Sequence, residues 1–204
     1  MSVVLGVDPS LTVSGCALVR FGDGDAPADP VWETWRARAA RPDVESVETN
    51  RKRIRTMLRE ILAIVPPRLS LSVVEGPAMA AKYTPLADER AGLRWMLIDQ
   101  LMARGPVVLV TPSSRQSLAY GEPIPRGTKS PARKALVTEG VREMVPGAHV
   151  PDHNVADAVA MAAAGAHRLG LGMPYVRRQL LVHANVAWPV ESVAVGAAGM
   201  GMGK

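Results

Sequence analysis

Cys16 is the only cysteine in 204 residues, so the chain can form neither an internal disulfide nor a zinc site built of cysteines alone. Its setting, Cys16-Ala-Leu-Val-Arg-Phe21, reads as a buried strand position and fits a reducing compartment. Aromatic residues are scarce too. One Phe and three Tyr leave little for extended stacking on single-stranded bases. No apolar run reaches the length that crosses a bilayer, so no membrane partner is expected. The first residues lack a basic stretch, and Asp8 interrupts the first apolar segment. The start therefore does not read as a secretory signal, and a cytoplasmic protein is expected.

What is present is a hydrophobic content of 48%, enough for one domain with a sizeable core and an extension. The net charge of +5 favours an anionic partner, of which nucleic acid is the commonest, although an ordinary basic surface has the same balance.

Residues 2–8 and 14–21 read as strands joined by a turn, and Val31-Trp-Glu-Thr-Trp35 alternates apolar and polar residues as a third strand does. Residues 44–65 have helical period, with Val44, Val47, Ile54, Leu58, Ile61 and Val65 on one face. Arg51, Lys52, Arg55 and Arg59 lie on the other, and Pro66-Pro67 ends the run. A buried strand at 71–75 follows. A second helix over 85–104 turns Leu86, Leu93, Met96, Leu97 and Leu101 inward. Val107–Val110 gives a fifth strand, and a polar, Pro/Gly-rich stretch from Thr111 to Pro131 leads to a helix at about 132–145. An alanine-rich helix at about 153–168 can approach a sheet closely. The order implies an α/β domain over 1–169, a central mixed five-stranded sheet flanked by helices, and a partly disordered C-terminal extension over 170–204.

Three acids stand out by position. Asp8 and Glu75 end buried strands, and Asp157 lies in Asp152-His-Asn-Val-Ala-Asp157-Ala-Val-Ala. Carboxylates on neighbouring strand ends and a crossing helix suit a magnesium site, because Mg²⁺ takes hard oxygen ligands and keeps several waters. Two such ions ~3.5–4 Å apart activate water and neutralise the leaving oxygen in phosphodiester hydrolysis.

Leu5-Gly-Val-Asp8-Pro-Ser-Leu-Thr-Val-Ser-Gly15 resembles the first motif of the RuvC family of Holliday-junction resolvases. Val73-Val-Glu75-Gly resembles the second, and Ala156-Asp157-Ala-Val-Ala-Met-Ala162 the last. Thr111-Pro-Ser-Ser-Arg115 and Ala132-Arg-Lys134-Ala-Leu-Val137 look like the family's basic region. The similarity spans roughly residues 3–168, and the long polar spacer and glycine-rich tail look like divergent phage-type members.

The resemblance implies a ribonuclease H-like fold and a homodimer that cuts four-way or other branched DNA with Mg²⁺, Mn²⁺ substituting. If the gene is phage-encoded, the host cytoplasm is the expected location. Asp8, Glu75 and Asp157 take the ligand roles. The family's fourth ligand falls on Asn154, whose carbonyl can ligate without adding charge. His153, and beside it Asp152, stay open as alternatives, His153 also as a water-activating base. Between Thr111 and Val145 stand Arg115, Arg126, Lys129, Arg133, Lys134 and Arg142. Of these, Lys134 and Arg115 match the family's phosphate-contacting lysines, and Lys129 and Arg133 are further DNA-binding candidates. Lys82 and Tyr83, just after Glu75, are candidates for meeting DNA. Other readings are a nuclease of this fold acting on flaps, forks or RNA, a non-catalytic DNA-binding relative, and an ATP-binding protein of the actin and sugar-kinase class.

Overall fold

The computed structural model describes residues 1–22, 29–77, 86–121, 124, 127–171, 175 and 177–189. Five strands form one mixed sheet: β1 (Ser2–Asp8), β2 (Val13–Phe21), β3 (Val31–Arg38), β4 (Leu71–Glu75) and β5 (Val107–Val110), in the order β3-β2-β1-β4-β5. β1, β2 and β3 pair antiparallel as a meander, while β4 and β5 join β1 in parallel. Parallel neighbours need a crossover, and helices provide both: α1 (Val47–Leu62) lies between β3 and β4, and α2 (Ala87–Met102) between β4 and β5.

Side-chain alternation divides the core in two. Val3, Leu5 and Val7 of β1 pack toward α1 and α2 with Met57, Ile61, Leu93 and Leu97. Val4 of β1, with Leu71 and Val73 of β4, packs toward α5 (His153–Arg168). α5 lies on the sheet closely because alanine and glycine line the contact. A Cβ on Gly6 would overlap the Ala158 carbonyl, and one on Gly15 would overlap that of Asn154. The helices α3 (Pro112–Tyr120), α4 (Ser130–Met144) and α6 (Arg177–Ala184) complete that layer.

The structure corrects several expectations. Thr111 to Pro131 is not all irregular. Thr111 caps α3 by accepting from the Ser114 amide, Pro112 opens it, and Gly121 closes it at φ 75°. α1 begins at Val47 rather than 44, because Ser46 and Thr49 form a reciprocal cap. Val44 and Val47 are exposed, and the buried stripe of α1 is Arg53, Met57 and Ile61. Met96 points outward, and Ile98 takes the inward place. Within residues 170–204, α6 packs on α3, where Gln179 donates to the Leu118 carbonyl at 2.7 Å. The glycine-rich end lies outside the described residues. Among the described residues, no helix is long and apolar enough to cross a membrane.

Candidate active site

Strand parity puts Asp8 on the same sheet face as Val4, and Glu75 on the same face as Leu71 and Val73. The β1–β4 register pairs Val7 with Val74, so Asp8 and Glu75 end adjacent strands at the same level. That face is the one α5 covers, and Asp157 comes down from it. α3 follows β5 directly and delivers Arg115 from the next strand end. Its Nη1 lies 2.6 Å from Asp157 Oδ2, 2.9 Å from Glu75 Oε2 and 3.9 Å from Asp8 Oδ1. All four side chains are largely buried.

Three carboxylates thus meet one guanidinium. Burial pushes the Glu75 carboxyl up to about 9, with the hydrogen bond that its protonated form donates to Asp8 and the Asp8 charge adding to the rise and Arg115 opposing it. Burial likewise raises Asp157 to about 7, against the pull of Arg115. The pocket therefore holds more carboxylate than its one cation neutralises, and excess negative charge in a buried cluster favours a further cation or bound protons. Among the described residues, no three His, Cys, Asp or Glu side chains are gathered as a metal's ligands would be. Arg115 stands where the three acids converge. The donor chemistry, three hard carboxylate oxygens, is the kind a magnesium-class ion takes.

The raised values have a consequence for metal-free protein. A carboxyl whose folded value lies above its unfolded one stabilises fully below the unfolded value, and that stability is lost as pH climbs to the folded value. For Glu75 the window runs from 4.5 to about 9, and for Asp157 from 3.8 to about 7. In chelator, the wild-type melting temperature is expected to fall between pH 5 and pH 9 more steeply than that of Glu75→Gln. Calorimetric melts at matched ionic strength check this, and parallel curves would count against it.

Around the acids, α5 begins at an N-cap, Asp152, whose side chain accepts from the Val155 amide at 3.1 Å. Asp152 also pairs with Arg36 of β3 at 3.2 Å, so it is occupied as a cap and ion pair. His153 Nε2 is 2.8 Å from Lys134 Nζ of α4. An ammonium only donates, so Nε2 accepts and the imidazole proton sits on Nδ1. Burial, then Lys134, lower the His153 value and keep the ring neutral. Asn154 precedes Asp157 by three positions on α5, its backbone pressed against Gly15 beside Asp8.

The sequence-derived DNA contacts separate in space. Lys129, Arg133 and Lys134 are exposed at the start of α4, with Arg133 also donating to the Thr128 carbonyl. Arg115 is not on that surface but in the acid cluster. Arg142 is tied to the Val150 carbonyl at 2.9 Å and to Glu139. Lys82, Tyr83 and Arg126 lie outside the described residues.

Sequence reading missed Arg53. From the buried face of α1 it donates through Nε to the Leu11 carbonyl at 2.9 Å and through Nη2 to Thr12 Oγ1 at 2.7 Å. It clamps the turn that follows Asp8. The available signal was an arginine in step with Met57 and Ile61, at i, i+4 and i+8 on one helical stripe.

No family model and no curated protein matches the sequence. Solved structures do. T. thermophilus RuvC in complex with Holliday junction substrate is 21% identical with a TM-score of 0.55, over 85% of this chain and 99% of that one. A second Thermus thermophilus RuvC structure is 20% identical at 0.51, over 78% and 90%. The fold is the ribonuclease H-like fold of RuvC. In this RuvC-like fold Asp8 and Glu75 lie at the carboxyl ends of the parallel pair β1 and β4, under the N-terminal half of α5, which carries Asp157.

Proposed function

We propose that the protein is a Mg²⁺-dependent endonuclease that hydrolyses phosphodiester bonds in four-way or otherwise branched DNA. The observation that carries this reading is the convergence of Asp8, Glu75 and Asp157 on one buried point beside an exposed basic helix start. Asp8, Glu75 and Asp157 would hold the metal, with the Asn154 carbonyl as a neutral fourth donor. Bound there, Mg²⁺ supplies an activated water and neutralises charge on the leaving oxygen. Lys134, Lys129 and Arg133 hold the strand by its phosphates, and the buried walls keep bulk water from the reacting bond. Arg115 exchanges its carboxylate partners for phosphate when the strand arrives. The test is Mg²⁺-dependent cleavage of four-way junction, flap, fork and linear duplex by purified protein. Cleavage of branched forms over linear duplex supports the reading, and none with any divalent ion overturns it. Arg115 among the acids favours one competitor, a non-catalytic DNA-binding relative, which would bind the junction in that assay and leave it whole.

For the fourth donor, engagement of His153 by Lys134 supports Asn154. Asn154→Ala is expected to weaken Mn²⁺ or Mg²⁺ binding by about 10–100-fold, while His153→Ala changes it little and Asn154→Asp tightens it. Titration calorimetry on metal-free protein reads all three. The reverse order of the two alanine variants would assign the position to His153.

A homodimer is the assembly this reading needs, since a two-fold junction is cut at two symmetric points. Between α1 and α2 runs an open groove of about 670 Å³, with Val47, Ile54, Leu58 and Met96 along it. Arg51, Arg55 and Arg59 line its α1 side, and Asp88 and Glu89 its α2 side. A second copy related by a two-fold axis would set one copy's arginines against the other's acids, the self-complementarity an isologous interface needs. Trp95 is exposed on the same helix. Light scattering is expected to give a dimer for wild type and a monomer for Val47→Glu/Met96→Glu. A wild-type monomer, free and on DNA, would point to flap or fork cleavage instead.

A further inference from the structure

The edge strand β3 carries two features that the α4 basic region does not explain. Arg36 and Arg38 are exposed on one face of β3, opposite the buried Ala37. Register pairs Arg38 with Val13 and Arg36 with Gly15, and Gly15 pairs with Asp8. Both arginines therefore stand at the acid-bearing end of the sheet. They share a concavity of about 330 Å³ with Thr34, Trp35, His149 and Pro151. This hollow is built rather than incidental, because Thr34 Oγ1 donates to the His149 carbonyl at 2.6 Å and fixes the segment before α5 against the strand. Arg36 spends one bond on Asp152, whereas Arg38 has no ion pair or hydrogen-bonding side-chain partner among the described residues.

We propose that this face of β3 is a second phosphate-binding surface, which holds the backbone of a DNA duplex arm at the acid-bearing end of the sheet. The proposal rests on the nuclease reading above and adds to it a separate contact on another element. The chemistry selects the ligand. Guanidinium groups bind phosphate through paired, planar donors, and two of them at i and i+2 on a strand are about 6.8 Å apart along it. That spacing suits neighbouring phosphates of one strand. Nothing on this face reads bases, so the contact is independent of sequence and serves to orient the arm. Arg36 meets Asp152 and Lys134 of α4 meets His153, so the two basic surfaces adjoin at the start of α5.

The test measures salt-dependent binding of a four-way junction by the full-length protein in an Asp8→Asn background, so that bound DNA stays intact. Each phosphate contact contributes roughly 0.9 to the slope of log K against log salt. Arg36→Gln/Arg38→Gln is expected to flatten that slope by about 2 and weaken binding by about tenfold or more at 0.1 M salt. Because Arg36 also touches the α5 cap, Arg38→Gln alone serves as the second variant. It leaves the Arg36–Asp152 pair in place and is expected to flatten the slope by about 1. Unchanged slope and affinity in both variants, with wild-type protein still binding and cutting junctions, overturns the β3 surface alone. If the Asp8→Asn protein binds no DNA at all, the nuclease reading fails and this proposal fails with it.

Discussion

Asp8→Asn is expected to lower junction cleavage by about a thousandfold or more, with junction binding equal to wild type or tighter. The substitution keeps the shape of the side chain and removes one charge from the point where Arg115, Glu75 and Asp157 meet. On the proposed nuclease reading, a divalent ion would lose a ligand there, so both metal affinity and the stabilisation of the leaving oxygen would fall. Binding moves the other way because one fewer negative charge faces the phosphate. The readouts are single-turnover cleavage and a gel-shift or anisotropy titration on the same junction. A folded Asp8→Asn protein that cuts at the wild-type rate would remove the carboxylate cluster from the mechanism.

Gly15→Ala is expected to cost about 2–3 kcal/mol and, with it, most of the cleavage activity. The new methyl group would overlap the Asn154 carbonyl, and backbone rather than a flexible side chain stands in its way. The start of α5 must lift from the sheet, taking Asn154 and Asp157 away from Asp8, the register partner of Gly15. For a chain of this size the melting temperature should drop by about 4–12 °C. Thermal melts and cleavage assays on the same preparation check both effects. Wild-type behaviour in both would mean that α5 tolerates the shift without moving the acid it carries.

The parts of this arrangement that were legible in the sequence are those that repeat. Apolar runs marked β1, β2 and β4, alternation marked β3, and the last residues of β1 and β4 are the two strand acids. The alanine run announced a helix close to the sheet. What escaped was whatever depended on a single long side chain choosing its direction. Arg115 looked like a surface residue reaching for phosphate, yet three buried carboxylates outcompete solvent for its guanidinium. Arg53 was hidden in a basic run, although its place in the stripe with Met57 and Ile61 turns it inward. α3 escaped because Pro and Ser dominate its first turn, where they act as helix-starting residues rather than breakers.

The turn after Asp8 shows how little of this geometry is left to the turn itself. Arg53 holds Leu11 and Thr12, and Ser14 bonds the Ser10 carbonyl at 2.9 Å and lies 3.3 Å from Met57 Sδ.

Arg115 also bears on how the protein is made. Buried acids without a counter-ion would oppose folding until an ion arrived, as happens in small domains whose fold waits on zinc. Here the chain supplies one positive charge of its own from α3, which offsets part of the carboxylate cluster without any bound ion. On the proposed metal-dependent reading, a chelator should then silence the protein without unfolding it, and returning the ion should restore it without a refolding lag. Added metal would stabilise the fold only by mass action, in proportion to its concentration.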